Sequence, residues 1–164
     1  MSNTQKRAKV LIISSLLFLI SAGISTQTVV AETSATPVKD ALEMTVYRSP
    51  TCDCCHKWVE TLEKDGFTVT MHNSDDMDSI KQSFGLQSHL HSCHTGTIGG
   101  YVIEGHVPAA DIRRLLTEKP KAAGLTAPGM PRHSPGMQPV GEQPKDYDVL
   151  LFDKEGKTTV YTSY

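Results

Sequence analysis

The sequence predicts an α/β domain whose first seven elements follow one another as β-α-β-α-β-β-α, before an irregular loop and a final β-hairpin. Short runs that alternate apolar and polar residues are typical of half-buried strands. Between them lie runs in which apolar residues recur every three or four positions, as on a helix. Glycine or proline stands near most of the boundaries. The roughly 130 residues that follow a predicted signal peptide suit one domain with a modest core.

The first 31 residues are predicted to be a secretory signal peptide. Three basic residues among the first nine precede the uncharged apolar run 10–20, and Val29-Val30-Ala31 fits a cleavage site after Ala31. An uncleaved membrane anchor is the alternative, because residues 10–31 carry no charge, although polar residues dilute the second half of that stretch. We therefore expect export to the periplasm, with no stable membrane insertion after cleavage.

Cleavage would leave a mildly acidic chain. It removes three positive charges and no negative ones, so the formal net charge changes from −2 to −5. This balance gives no electrostatic reason to expect a nucleic-acid partner. Residues 32–43 are predicted to be a disordered lead, and residues 44–164 the folded domain.

The first four elements are defined by periodicity and by helix-ending residues. A strand is expected over 44–48, followed by cysteines and a helix that runs to Lys64 and ends at Gly66. Residues 67–71 alternate apolar and polar side chains, as in a second strand. A short second helix, capped by Ser74, should end at Gly85.

The remaining elements are a hairpin, a helix, a loop and a second hairpin. Strands over 95–98 and 101–104 flank Gly99-Gly100, a pair typical of a two-residue turn. A helix with Pro108 in its first turn should follow and stop before Pro120. Residues 121–145 show neither the helical nor the strand period of apolar residues, and they contain two Pro-Gly-Met units. A second hairpin is expected over residues 147–162.

Three of the four cysteines lie together at the start of the first predicted helix, in Cys52-Asp53-Cys54-Cys55. The helix dipole and the free backbone N–H groups there favour thiolates. Cys52 and Cys55 are one helical turn apart, so both sulfurs can reach one ion or each other. A redox pair does not need Cys54, and adjacent Cys54 and Cys55 would form only a strained disulfide. The pattern favours a soft-metal site first and a dithiol redox centre second.

Two other uses of four cysteines are open. Two structural disulfides would suit an exported protein, but only one cysteine of the cluster can pair sensibly with Cys93. A structural zinc site would also use four cysteines, but Cys-x-Cys-Cys is cramped beside the usual Cys-x-x-Cys spacing. Thiolates with the thioethers of the methionine loop favour Cu(I) over zinc.

The strand–helix–strand unit with Cys-x-x-Cys at the helix start resembles the thioredoxin fold over roughly residues 44–118. In thioredoxin-like proteins, the loop before the third strand carries a cis-proline that faces the Cys-x-x-Cys motif. Ser92-Cys93-His94-Thr95 occupies that place here. The resemblance therefore implies that Cys93 faces the cysteine cluster.

A more specific resemblance comes from several motifs taken together. They are Ser49-Pro50-Thr51-Cys52-Asp53-Cys54-Cys55, Ser92-Cys93-His94-Thr95, the run from Gly99 to Pro108, and the paired Pro-Gly-Met loop. Together these motifs, which span nearly all of the mature chain, resemble the CopG family of small exported bacterial proteins, long known only as a domain of unknown function. The resemblance implies a thioredoxin-like domain that binds several copper ions through bridging cysteines. The implied metal ligands are Cys52, Cys54, Cys55, Cys93, Met130, Met137, His94 and His106. Asp53 departs from the glycine common in the family, and adds a negative charge beside the site.

The predicted function is that of a periplasmic copper-binding protein of copper resistance. It would hold Cu(I), as several ions in a cysteine-bridged site, and Cu(I)/Cu(II) redox cycling is its one candidate enzymatic activity. The expected partners are copper ions and other periplasmic copper-handling proteins, and zinc is the less favoured metal. The alternative is a periplasmic thiol–disulfide oxidoreductase that uses Cys52 and Cys55, with Cys93 as the resolving thiol. A structural zinc or disulfide-stapled interaction domain is the third hypothesis.

Overall fold

The computed structural model describes residues 42–164, which contain three α-helices and one seven-stranded sheet. The predicted signal peptide and most of the predicted lead lie outside the described residues. The strands are β1 (Glu43–Arg48), β2 (Thr68–Asn73), β3 (His94–Ile98), β4 (Tyr101–Glu104), β5 (Gly124–Thr126), β6 (Asp148–Phe152) and β7 (Thr158–Ser163). The helices are α1 (Asp53–Lys64), α2 (Met77–Ser83) and α3 (Ala109–Glu118), and a 3₁₀ turn spans Ser88–Leu90.

The sheet is mixed, with the strand order β2-β1-β3-β4-β5-β6-β7. β1 and β2 are parallel and are connected through α1, and β4 and β5 are parallel and are connected through α3. All other neighbouring strands are antiparallel. The prediction of a mixed α/β domain is therefore confirmed, and the final hairpin extends the sheet beyond β5.

Two details of the prediction are wrong. The loop 121–145 was expected to lack secondary structure, but Gly124–Thr126 forms β5 within the sheet. Gly124 is needed there because a Cβ atom would collide with the Val102 carbonyl. α1 begins at Asp53 with Cys52 as its N-cap residue, so the cysteines lie at the start of the helix, as predicted. α2 is capped by Asp76, which accepts a hydrogen bond from Ser79 N at 3.0 Å, and not by Ser74.

The main core joins α1 and α3 to the sheet. Trp58, Val59 and Leu62 of α1 pack into the same buried cluster as Ile112 and Leu115 of α3. Leu62 follows Trp58 by four residues and Val59 by three, and Leu115 follows Ile112 by three, so each helix presents one apolar stripe to the core.

One polar contact inside the core fixes the start of α1. The fully buried Trp58 donates its indole N–H to the Val107 carbonyl at 2.9 Å. Val107 lies between β4 and α3, so this hydrogen bond positions the cysteine-bearing first turn of α1 next to the β4–α3 connection.

Within residues 42–164, no helix is long and apolar enough to cross a membrane.

Candidate metal centre

Four cysteine sulfurs from two separate segments meet at the start of α1. The Sγ atoms of Cys52, Cys54, Cys55 and Cys93 all lie within 4.8 Å of one another. Cys52 is the N-cap residue of α1, and Cys54 and Cys55 lie in its first turn. Cys52 and Cys55 are joined as a disulfide, whereas Cys54 and Cys93 are free. The Cys52 and Cys54 sulfurs are 3.5 Å apart.

Strand pairing explains why Cys93 meets this cluster from a distant part of the chain. β1 and β3 are antiparallel, and Arg48, the last residue of β1, pairs with His94, the first residue of β3. The segment that leaves β1 toward α1 therefore lies beside the segment that enters β3. The Cys55 sulfur lies 3.9 Å from the Cys93 carbonyl oxygen. The expectation that Cys93 faces the cluster is confirmed.

A second group of donor atoms shares Cys93 with the first. One ligand atom each from Cys93, His94 and His106 lies within 4.8 Å of the others. The Cys93 sulfur is 3.0 Å from His106 Nε2 and 3.3 Å from His94 Nδ1. Cys93 can therefore bridge a sulfur-rich group and a group that contains both nitrogen and sulfur.

Both histidines are held in place by buried neighbours. His106 Nδ1–H donates to the Pro135 carbonyl at 2.8 Å, which leaves the Nε2 lone pair directed at Cys93. The His94 ring packs against Trp58, with ring centroids 4.2 Å apart, and its buried Nε2 has no hydrogen-bond partner.

Burial controls the protonation of these groups. Burial lowers the pKa of His94 well below its usual range, with smaller contributions from His106 and Lys81, and burial also lowers the pKa of His106. Burial, assisted by the nearby Cys54, raises the pKa of the Cys93 thiol to about 12. The imidazoles are therefore neutral near pH 7, as metal ligands must be, and a metal cation would have to displace the thiol proton of Cys93.

The two methionines predicted as ligands lie in a segment attached to this site. Met130 is 59% exposed and borders a pocket of about 360 Å³ that is also lined by His91 and Cys93. Met137 is half-buried and follows Gly136, which lies so close to α1 that a Cβ atom there would be 2.6 Å from Trp58 N. The segment is anchored by Pro135, through His106, and by a bridge between Ser92 and Gly129.

Other polar residues near the site have different surroundings. His89 and His91 contact different carbonyl oxygens, those of Gly156 and Leu86. The exposed Asp53 forms an ion pair with Lys57 at 2.7 Å, so its added negative charge is already paired.

Sequence reasoning missed two groups that shape the site. One is the Trp58 ring, which packs against His94 with the two ring planes tilted by 36°. The Pro135 carbonyl orients His106, and no sequence signal identifies a backbone acceptor in an irregular segment.

The chain is similar to known proteins over most of its described length. Residues 90–137 match the family model described as protein of unknown function, DUF411. Two solved structures, forms 1 and 2 of the copper resistance protein CopG, each align with 42% sequence identity and a TM-score of 0.69. The alignments cover 76% and 75% of this chain and 98% of each CopG chain. No curated protein matches significantly.

Proposed function

Because the chain belongs to the DUF411 family, together with the copper resistance protein CopG, we propose that it is a copper-binding protein of copper resistance. This membership confirms the family resemblance drawn from the sequence motifs. The observation that carries the proposal is the convergence of four cysteine sulfurs within 4.8 Å. The metal would be held as Cu(I) by several bridging thiolates.

The donor atoms suit copper better than zinc. Cu(I) prefers thiolate and thioether ligands, and one thiolate can bridge two ions. Cys93 belongs to both donor groups, and this arrangement supports a site with more than one ion. In the proposed site, the ligands are the four cysteines, His94 and His106, with Met130 and Met137 contributing thioethers.

The disulfide connects copper binding to electron transfer. Cys52 and Cys55 can act as thiolate ligands only after two electrons have reduced their disulfide, and two Cu(I) ions could supply those electrons by each becoming Cu(II). In the reverse direction, two Cu(II) ions would each take one electron from the two thiolates, giving two Cu(I) ions and the disulfide. This balance supports the proposal that the site can cycle copper between its two oxidation states.

The proposal includes a thioredoxin-like fold and a periplasmic location. The fold is supported by the strand order β2-β1-β3-β4, by the parallel β1–α1–β2 unit, and by Cys52 and Cys55 at the start of α1. The location is supported by the predicted signal peptide and by the disulfide, since disulfides persist in oxidising compartments. Other periplasmic copper-handling proteins would deliver and receive the metal.

A thiol–disulfide oxidoreductase is the second candidate, and the disulfide itself favours it. Cys52 and Cys55 form the pair that such an enzyme uses, and an open depression of about 330 Å³ lies beside Cys52 and His56. A thiol of another protein can approach Cys52 from that side.

Cys54→Ser separates the two functions. The reduced variant should bind fewer Cu(I) ions than the wild type in an anaerobic titration against a Cu(I) chelator, because one bridging sulfur is lost. Its Cys52–Cys55 couple should keep its reduction potential, since neither sulfur is changed. Unchanged copper binding in the variant, together with retained insulin-reducing activity, would instead support the oxidoreductase.

A further inference from the structure

A buried ion pair lies behind the loop that carries Cys93. Lys81 of α2 is only 4% exposed, Glu104 of β4 is fully buried, and Lys81 Nζ lies 2.5 Å from Glu104 Oε1. Thr95 of β3 links them, because it accepts from Lys81 Nζ at 3.1 Å and donates to Glu104 Oε2 at 2.7 Å. Neither member of the ion pair belongs to the two groups of candidate metal ligands.

The Glu104 carboxylate also contacts the backbone beside Cys93. Its Oε1 atom accepts a hydrogen bond from Ser92 N at 2.6 Å. A carboxylate that accepts from a backbone N–H forms one of the stronger classes of hydrogen bond, and burial strengthens it further. The backbone directly before Cys93 is therefore attached to a rigid, fully buried group.

A purely structural role does not require these charges. Removing a lysine and a glutamate from water is unfavourable, and well-packed apolar side chains of similar volume often stabilise a fold as well or better. An apolar pair could not accept the hydrogen bond that Ser92 N donates to Glu104.

We propose that Glu104, held in place by Lys81, is a positioning residue for Cys93. It fixes the Ser92–Cys93 backbone so that the Cys93 sulfur faces both His106 and the cysteine cluster. The geometric part of this inference concerns the metal-free protein, and only its consequence for copper affinity rests on the proposed function.

Two double variants separate the hydrogen bond from the charges. In Lys81→Met/Glu104→Gln, both charges are absent, but the glutamine oxygen can still accept from Ser92 N and the amide can donate to Thr95. In Lys81→Met/Glu104→Met, the side-chain volumes are similar to those of the wild type, but no side-chain oxygen remains to accept the hydrogen bond from Ser92 N. The first variant serves as the matched control for the second.

The alkylation rate of Cys93 in the metal-free protein, resolved by mass spectrometry, is the first measurement. We expect the rate to rise about tenfold in the methionine variant and to stay within about twofold of the wild type in the glutamine variant, because an unsatisfied Ser92 N–H loosens the loop. In the reduced proteins, copper affinity should fall roughly 10- to 100-fold in the methionine variant alone, as is typical when a group that orients a metal ligand is removed. Equal rates in both variants would overturn the positioning role, whereas a wild type that binds no copper would overturn the proposed function alone.

Amide hydrogen exchange in the wild type tests the inference without any substitution. Ser92 N–H should be protected about as well as the amides of β3, although Ser92 lies outside the strands. Exchange at the rate of an exposed loop would contradict the proposal, whatever the stability of the variants.

Discussion

Replacing Gly136 with alanine should displace the methionine-containing segment from its position against α1. Gly136 has φ +81°, and a Cβ atom there would lie 2.6 Å from Trp58 N and 3.0 Å from the Cys54 carbonyl oxygen. Both are backbone atoms of α1, so they cannot rotate away from the new Cβ atom as a flexible side chain could. The segment would have to move by about 0.8 Å, the difference between 2.6 Å and the 3.4 Å at which ordinary contacts begin.

The loss of folding free energy in Gly136→Ala has two contributions, one from the backbone conformation and one from a lost hydrogen bond. An alanine in the left-handed region costs about 1–2 kcal/mol, which is partly offset by the lower entropy of the unfolded chain. Movement of the segment also takes the Pro135 carbonyl away from the buried His106 N–H, which costs about a further 1–3 kcal/mol. Gly136→Ala should therefore lower the free energy of unfolding by about 2–4 kcal/mol.

Gly141→Ala is the matched control. Gly141 has φ +86°, but nothing lies within 4 Å of the position that its Cβ would take, so only the backbone cost of about 1 kcal/mol remains. Urea denaturation of the two metal-free variants measures the difference, and Cu(I) competition should show weaker binding only for Gly136→Ala. Equal loss of stability in both variants would refute the packing of this segment on α1.

Three further predictions concern the donor groups. The free energy of unfolding of the metal-free protein should fall as the pH is lowered from 6.5 to 5, by up to about 1.4 kcal/mol per pH unit for each buried histidine, His94 and His106. The sign follows because the pKa values of both histidines are lowered by burial, so below pH 6.5 the unfolded chain binds protons that the folded chain does not. Cys93, whose pKa is raised from 9.0 to about 12, should be alkylated at pH 8 about 50-fold more slowly than a cysteine in an unstructured peptide. Met130→Leu/Met137→Leu should weaken copper retention against a chelator roughly tenfold, because the thioethers are lost while the volume is kept.

Controls for these three measurements lie on the same chain. His72→Gln changes an exposed histidine and should leave the pH dependence unaltered. Met71→Leu changes a partly exposed methionine of β2 and should retain copper as the wild type does. Unfolding of the wild type that is independent of pH between 5 and 6.5 would contradict the burial of the two histidines. Alkylation of Cys93 as fast as in the peptide would contradict the raised pKa of its thiol.

Much of the fold follows from local signals in the sequence. The β3–β4 hairpin was predicted from Gly99-Gly100, and both glycines have positive φ. The end of α1 was predicted from Gly66, which has φ +85°. Such positions can be predicted from the sequence because glycine adopts a positive φ without the steric strain that other residues have there.

β5 could not be predicted from the same kind of signal. Its three residues are too short to show a period, and it is stabilised by pairing with β4 and β6 on either side. Pairing with strands from distant parts of the chain cannot be recognised from the pattern of three residues.

The candidate site was accessible to sequence reasoning only in part. The spacing of Cys52, Cys54 and Cys55 indicated that their sulfurs would converge, and the family resemblance supplied Cys93, His94 and His106. The burial of Lys81 beside Glu104 was not predicted, because charged residues are usually exposed and only tertiary contacts show otherwise.

The central claim is that the cysteine cluster binds several copper ions. The most direct test is elemental analysis of the mature protein from copper-supplemented periplasm, with free thiols titrated on the same sample. We predict more than one copper ion per chain, and thiols that react only after the metal is stripped. Less than one ion per chain, with Cys52 and Cys55 cycling reversibly between thiol and disulfide, would contradict the claim and favour the oxidoreductase.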